Sequence, residues 1–158
     1  MRGFTLIELV ATLVLISILA VAVWPRAPSS DSLTLRGRAE QLASDIRYAQ
    51  TLSMTRGSRF CVVITASDYE LRTTDAADSC TAVREPNPAG LGATGAISVC
   101  TSCLATSFGG TLQFDGKGVP YTGPGAPLGG AGGTVTVSGD GGPKTITVSA
   151  NTGRVIVQ

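Results

Sequence analysis

The 158-residue chain contains no histidine. That removes the commonest general base and metal ligand, and with them His-based triads and zincin-type sites. It also lacks a surplus of charge: twelve Lys and Arg against eleven Asp and Glu leave a formal charge of +1. Composition therefore announces neither a nucleic acid nor an acidic partner, and such binding would need a local patch. The length suits one small domain with an accessory segment and is too short for a large multidomain enzyme. Glycines 129, 130, 132 and 133 have no Lys-Ser/Thr ending or strand-to-helix setting, so they read as a flexible loop and not as a phosphate cradle.

What the chain does have is an apolar run from Phe4 to Trp24, interrupted only by Thr5, Glu8, Thr12 and Ser17. As a helix it spans roughly 30 Å, the thickness of a bilayer's hydrocarbon core. An ordinary cleaved secretory signal fits poorly, because such signals pair a basic start with a shorter apolar stretch and a small-residue cleavage site after it. Arg2 before the run favours a cytoplasmic N-terminus, with Arg26 on the other side as a counterweight. Glu8 is the anomaly. A carboxylate in lipid costs several kcal/mol and usually has a partner.

Gly3-Phe4-Thr5-Leu6-Ile7-Glu8-Leu9 resembles the type III signal of type IV pilins and type II secretion pseudopilins. The resemblance implies a leader of residues 1–3, cleavage by a prepilin peptidase between Gly3 and Phe4, and methylation of the Phe4 amine. It also supplies the partner for Glu8, which would neutralise the terminal amine of a neighbouring subunit as helices stack in a filament core. Residues 4–24 would then be a transmembrane and filament-core helix, and 25–158 a periplasmic pilin-like domain. Pro25 falls where pilins often carry a helix-breaking proline.

After a polar, Pro-containing break, Leu35, Ala39, Leu42, Ile46 and Ala49 recur at helical spacing, predicting a helix over about 33–56 with one apolar face. Ser30, Asp31 or Ser32 could cap its start, and Gly57 suits its end. Arg36, Arg38 and Arg47 with Glu40 and Asp45 read as the solvated face. The β-rich region, about 58–158, begins with a hairpin of 59–65 and 69–73. A Pro- and Gly-rich loop covers 85–96. Short strands follow at 97–100 and 111–114, then another flexible stretch through Gly133. An antiparallel meander of 134–138, 145–149 and 154–157 closes the chain.

Leu42 to Gln50 with Arg56-Gly57, the turn Phe114-Asp115-Gly116-Lys117-Gly118, and Thr145 to Ser149 with Gly153-Arg154-Val155 together resemble the GspH/FimT family of minor pseudopilins and pilins. The implied fold is α+β: a long N-terminal helix, membrane-spanning in its first half and exported in its second, packed on an antiparallel β-sheet or sandwich.

Cys61, Cys80, Cys100 and Cys103 all fall in the exported part, where an oxidising periplasm makes an even count a set of disulfides. Four cysteines permit three pairings, and spacing does not choose among them. Closeness in the chain favours Cys61 with Cys80 and Cys100 with Cys103. The Cys100-Thr101-Ser102-Cys103 spacing also suits a thiol redox site, but it lacks the helix N-terminal βαβ setting of that chemistry. A Cys₄ zinc site has only one close ligand pair.

The resulting expectation is a structural subunit with no catalytic residue, cofactor or metal. Its partners would be other pilins or pseudopilins, the peptidase and, before assembly, inner-membrane lipid. It would sit in a bacterial inner membrane by a single pass, with the C-terminal domain in the periplasm, and later in a type IV pilus or a type II secretion pseudopilus. The rival reading is a DNA-binding minor pilin, since FimT-like members take part in DNA uptake through a basic stretch after the Gly-Arg. Lys144 and Arg154 are the candidate contacts, yet the ending from Arg154 to Gln158 carries one cation, and a groove on several phosphates needs several.

Overall fold

The computed structural model describes residues 5–23, 30–75, 77–81, 95–139 and 141–158, with side chains for 5–18 and from Thr34 onward within those ranges. The Gly3–Phe4 junction, Trp24 with Pro25, and the 85–94 part of the expected loop lie outside the described residues. The chain divides into two compact units, Met1–Ser30 and Asp31–Gln158.

The first unit is helix α1, Leu6–Val23. Its apolar residues show no sidedness, and those from Leu6 to Ile18 are between 49% and 81% exposed. Thr12 Oγ1 donates to the Leu9 carbonyl at 2.9 Å and Ser17 Oγ to the Val14 carbonyl at 2.8 Å, so both hydroxyls are satisfied by the helix itself. Among the described residues no helix is long and apolar enough to cross a membrane; the described side chains of α1 end at Ile18, whereas the apolar sequence runs on to Trp24.

The second unit opens with helix α2, Ser30–Arg56, which starts earlier than residue 33, at the first of the expected capping residues. It stops before Gly57, whose φ of 61° is the left-handed conformation that ends helices and that glycine adopts without a Cβ penalty. Leu35, Ala39, Leu42, Ala43, Ile46 and Ala49 form its buried stripe. Arg36, Arg38, Glu40 and Arg47 face solvent as expected. Asp45 does not: it is 1% exposed and accepts a hydrogen bond from Tyr69 Oη of the sheet. Position 45 lies three residues after Leu42 and four before Ala49, within the buried stripe, and the phenol supplies the donor that makes burial of a carboxylate tolerable.

Two antiparallel sheets complete this unit. The first contains β1 (Phe60–Ile64), β2 (Asp68–Thr73), β3 (Ile97–Ser98), β5 (Thr111–Phe114) and β6 (Pro120–Tyr121), in the order β3-β2-β1-β5-β6. The second contains β4 (Leu104–Thr106), β7 (Gly133–Val137), β8 (Lys144–Val148) and β9 (Val155–Val157), in the order β4-β7-β8-β9. The expected hairpin pairs Phe60 with Thr73 through Ile64 with Tyr69, and the closing meander pairs Val135 with Ile146 and Ile146 with Val157. Alternate strand residues meet the stripe of α2 in one core that includes Val62, Leu71, Leu112 and Phe114 of the first sheet with Val135, Val137, Ile146 and Val148 of the second. An α+β fold with a helix packed on antiparallel sheets is what these residues form.

Two short strands, β4 and β6, were not foreseen. β4 has three residues, too few to show a period, and β6 begins with Pro120, which lacks a ladder donor and is tolerated there because β6 is an edge strand. The stretch read as flexible up to Gly133 is also more ordered than expected. Leu128 is buried at 5% exposure, and Gly133 is itself a strand residue, with space for a Cβ taken by the Phe108 ring at 2.7 Å.

Candidate assembly surface and basic cluster

Glu8 lies in the first turn of α1, where the unpaired backbone N–H groups of the helix start favour a negative charge. It is exposed, surrounded in sequence by Leu6, Ile7, Leu9 and Val10, and is the one ionisable residue of the helix. The ion pairs found among the described residues are Arg59 with Asp78 and Arg72 with Glu70; none involves Glu8. An apolar surface on all sides of a helix, with one carboxylate near its start, is a surface that needs apolar surroundings and one donor.

The four cysteines form two disulfides, Cys61–Cys80 and Cys100–Cys103, with Cα–Cα separations of 5.9 and 5.8 Å. The first ties β1 to the turn after β2. The second closes a loop between β3 and β4, whose Ser102 N–H donates to Ser67 Oγ at 3.1 Å. No group of His, Cys, Asp or Glu suited to a metal ion occurs among the described residues.

Lys144 and Arg154 do not come together. Lys144 opens β8 opposite Val137, whereas Arg154 precedes β9 and lies beside Ser149 just past the far end of β8, roughly 16 Å away at about 3.3 Å per residue. Arg154 instead joins a cluster that sequence separation concealed. Gln50 of α2 donates its amide to the Gly118 carbonyl at 2.9 Å and to the Thr152 carbonyl at 2.8 Å, holding the β5–β6 and β8–β9 turns to one helical position. One turn earlier on the helix, Arg47 donates to the Val155 carbonyl at 3.1 Å. Gly153, at φ 62°, leaves room for this clasp: a Cβ there would lie 2.7 Å from the Gly118 carbonyl oxygen and 3.0 Å from the Phe114 ring. The clasp thereby brings three exposed cation-bearing positions into one region by their backbones: Arg47 on the helix, Lys117 next to Gly118, and Arg154 between Gly153 and the Val155 that Arg47 contacts. A helical Gln facing two glycine turns was the available signal, but nothing in a single sequence says which turns it meets.

The comparisons agree with this architecture. Residues 1–24 match the prokaryotic N-terminal methylation motif, and residues 38–153 match the type II transport protein GspH family. The chain is 32% identical to competence protein ComGD of Bacillus subtilis (strain 168) over 158 residues, 99% of this chain and 93% of that protein. Two crystal structures of the type IV minor pilin FimU of Pseudomonas aeruginosa share the fold, with TM-scores of 0.51 and 0.52 at 14% and 15% identity. They cover 78% of this chain and 91% and 87% of their own. Matched over most of its length by the GspH model and at its start by the methylation motif, the protein belongs to the GspH family of type IV pilin-like minor pilins and pseudopilins, which are structural subunits that assemble with other pilins and not enzymes.

Proposed function

We propose that this chain is a minor filament subunit made as an inner-membrane precursor and cut between Gly3 and Phe4 by a prepilin peptidase, with the new Phe4 amine methylated. Residues 4–24 hold it in the bilayer by a single pass, the domain from residue 25 onward lies in the periplasm, and the same helix later packs in the core of a type IV pilus or type II secretion pseudopilus. The observation that carries this reading is α1: apolar on every side, with its hydroxyls turned back on the helix and one carboxylate in its first turn. In lipid it satisfies its own backbone. In a filament, the terminal amine of a neighbour gives Glu8 its counter-charge. Intact-mass measurement of membrane-extracted protein tests the proposal: the expected mature form begins at methylated Phe4, and Gly3→Val leaves an uncleaved precursor absent from filaments. A mature form starting after Trp24 would overturn it.

A second reading has a specific observation behind it. The Gln50 clasp brings the backbone positions of Lys117 and Arg154 towards Arg47, and three cations reaching one polyanion would contact more phosphates than Arg154 alone. The competence protein among the relatives makes DNA the natural polyanion to try. A gel shift by the full chain should weaken with salt, and Arg154→Ala should reduce the slope against log salt by about one, while Lys144→Ala changes it little. Salt-insensitive retention would leave the structural role standing alone.

A further inference from the structure

The face of the first sheet turned away from α2 carries its own feature. Strand alternation sends Cys61, Val63, Thr111 and Gln113 to that side, while Val62, Leu112 and Phe114 enter the core. The Cys61–Cys80 disulfide draws the turn after β2 across the same face. Between this turn and the β6 turn lies an open groove of about 310 Å³, at the small end of ligand-site volumes. Hydroxyls of Ser79, Thr81, Thr111 and Thr122 line it over the apolar Val63 and Pro124, and among the described residues no charged side chain does.

Gln113 lies beneath these hydroxyls and is wholly buried. Its amide nitrogen donates to the Asp78 carbonyl at 2.9 Å and lies 3.1 Å from Cys80 Sγ. Its Oε1 is buried with no hydrogen-bond partner, a state that folded proteins keep only for a reason. The walls are fixed in advance. The Asp75 carboxylate accepts from the Ala77 and Ser79 N–H groups at 2.9 Å each and from Thr81 Oγ1 at 2.7 Å. Arg59 Nη1 sits 2.8 Å from Asp78 Oδ2, an ionic contact without hydrogen-bond alignment, and its guanidinium lies 4.9 Å from the centre of the Tyr121 ring. The β6 turn is closed by the Thr122 N–H on the Ala126 carbonyl at 2.8 Å.

We propose that this groove is a subsite for a neutral, hydroxyl-rich ligand, one saccharide unit in size. A sugar hydroxyl donates to Gln113 Oε1, which is covered in the free protein and is uncovered when the Ser79 and Thr111 side chains change rotamer on binding. Other hydroxyls exchange hydrogen bonds with the threonines, and the C–H face of the ring covers Val63 and Pro124. Among the described residues the lining offers no cation to a phosphate or carboxylate, so these ligands find no counter-charge there. The groove lies wholly within the β-rich region, so the proposal stands independently of the filament reading.

The test uses the full chain in a detergent without a sugar headgroup, followed by amide NMR shifts on titration with methyl glucoside, N-acetylglucosamine and, as a charged control, inorganic phosphate. The expected result is a saturable shift at Ser79, Thr81, Gln113 and Thr122 with at least one saccharide, at a roughly millimolar Kd, and none with phosphate. Thr111→Val keeps the side-chain shape while removing the hydroxyl, and should weaken binding about tenfold. Gln113→Met should abolish it. Absence of a saturable shift with either sugar, an equal response to phosphate, or undiminished binding by the variants would overturn the proposal. If Gln113→Met does not fold, Thr111→Val decides it.

Discussion

Helices α1 and α2 present opposite answers to the question of where apolar side chains go. In α1 the described leucines, isoleucines and valines stay at least 49% exposed, whereas the apolar stripe of α2 is at most 7% exposed. α2 finds its counterpart within its own chain, in two sheets whose alternate residues meet it. α1 finds none within its own unit. The carboxylates repeat the contrast: Asp45 on α2 receives the Tyr69 phenol, while Glu8 on α1 has no ion pair among the described residues. The larger unit of this pilin-like protein is therefore a finished fold, whereas α1 shows an apolar surface that its own unit does not cover.

Matched truncations are the strongest way to break that contrast. Leu42→Ala leaves a cavity beneath both sheets and should cost about 2–5 kcal/mol, whereas Leu13→Ala on α1 should change stability by no more than about 0.5 kcal/mol. Urea unfolding of the full chain in micelles, followed by Tyr fluorescence of the β-rich region, reads both. Equal losses would mean that α1 is as much a part of that fold as α2. Next in size is the carboxylate contrast: Tyr69→Phe takes one donor from the buried Asp45 and should cost about 1–3 kcal/mol in the same assay, with no such penalty for Tyr48→Phe at its half-buried position on α2.

The smallest effect concerns a carboxylate satisfied by its own turn. The Thr81 hydroxyl, followed by the Ser79 N–H, holds the Asp75 carboxyl below its usual value of 3.8. A depressed folded pKa contributes stability that is fully present above the unfolded value and is lost as pH falls through the lower folded one. Asp75 is solvent-exposed, which keeps the contribution small. The urea midpoint of the parent should therefore approach that of Asp75→Asn as pH falls from about 5 to about 3. A gap that stays constant over this range would show that the turn does not depend on the charge.

How far the sequence anticipated this fold follows from the same physics. The stripe of α2 was legible because five residues repeat at helical spacing, and the closing meander because Thr-Val and Thr-Ile alternate around glycine turns. Asp45 was misread because its partner Tyr69 lies 24 residues away in sequence, and charge patterning treats every carboxylate as solvated. β4 and β6 are too short to carry a period. Of the site, the Glu8 signal stood out as a charge in an apolar run, whereas the Gln50 clasp joins turns that are 68 and 102 residues distant. No local pattern encodes such a meeting. The positions of Arg47, Lys117 and Arg154 are drawn to one clasp only once α2 has been laid across both sheets.

The inward-turned hydroxyls of Thr12 and Ser17 have one more consequence. Because each is already bonded to a carbonyl of its own helix, α1 can leave one greasy environment for another without rewiring either group. Such a transfer is nearly blind to what the new neighbours are, as long as they are apolar. In the proposed filament register would then come from elsewhere, and Glu8, the one ionisable residue of the helix, is where a shift of a single turn along a neighbour would be noticed.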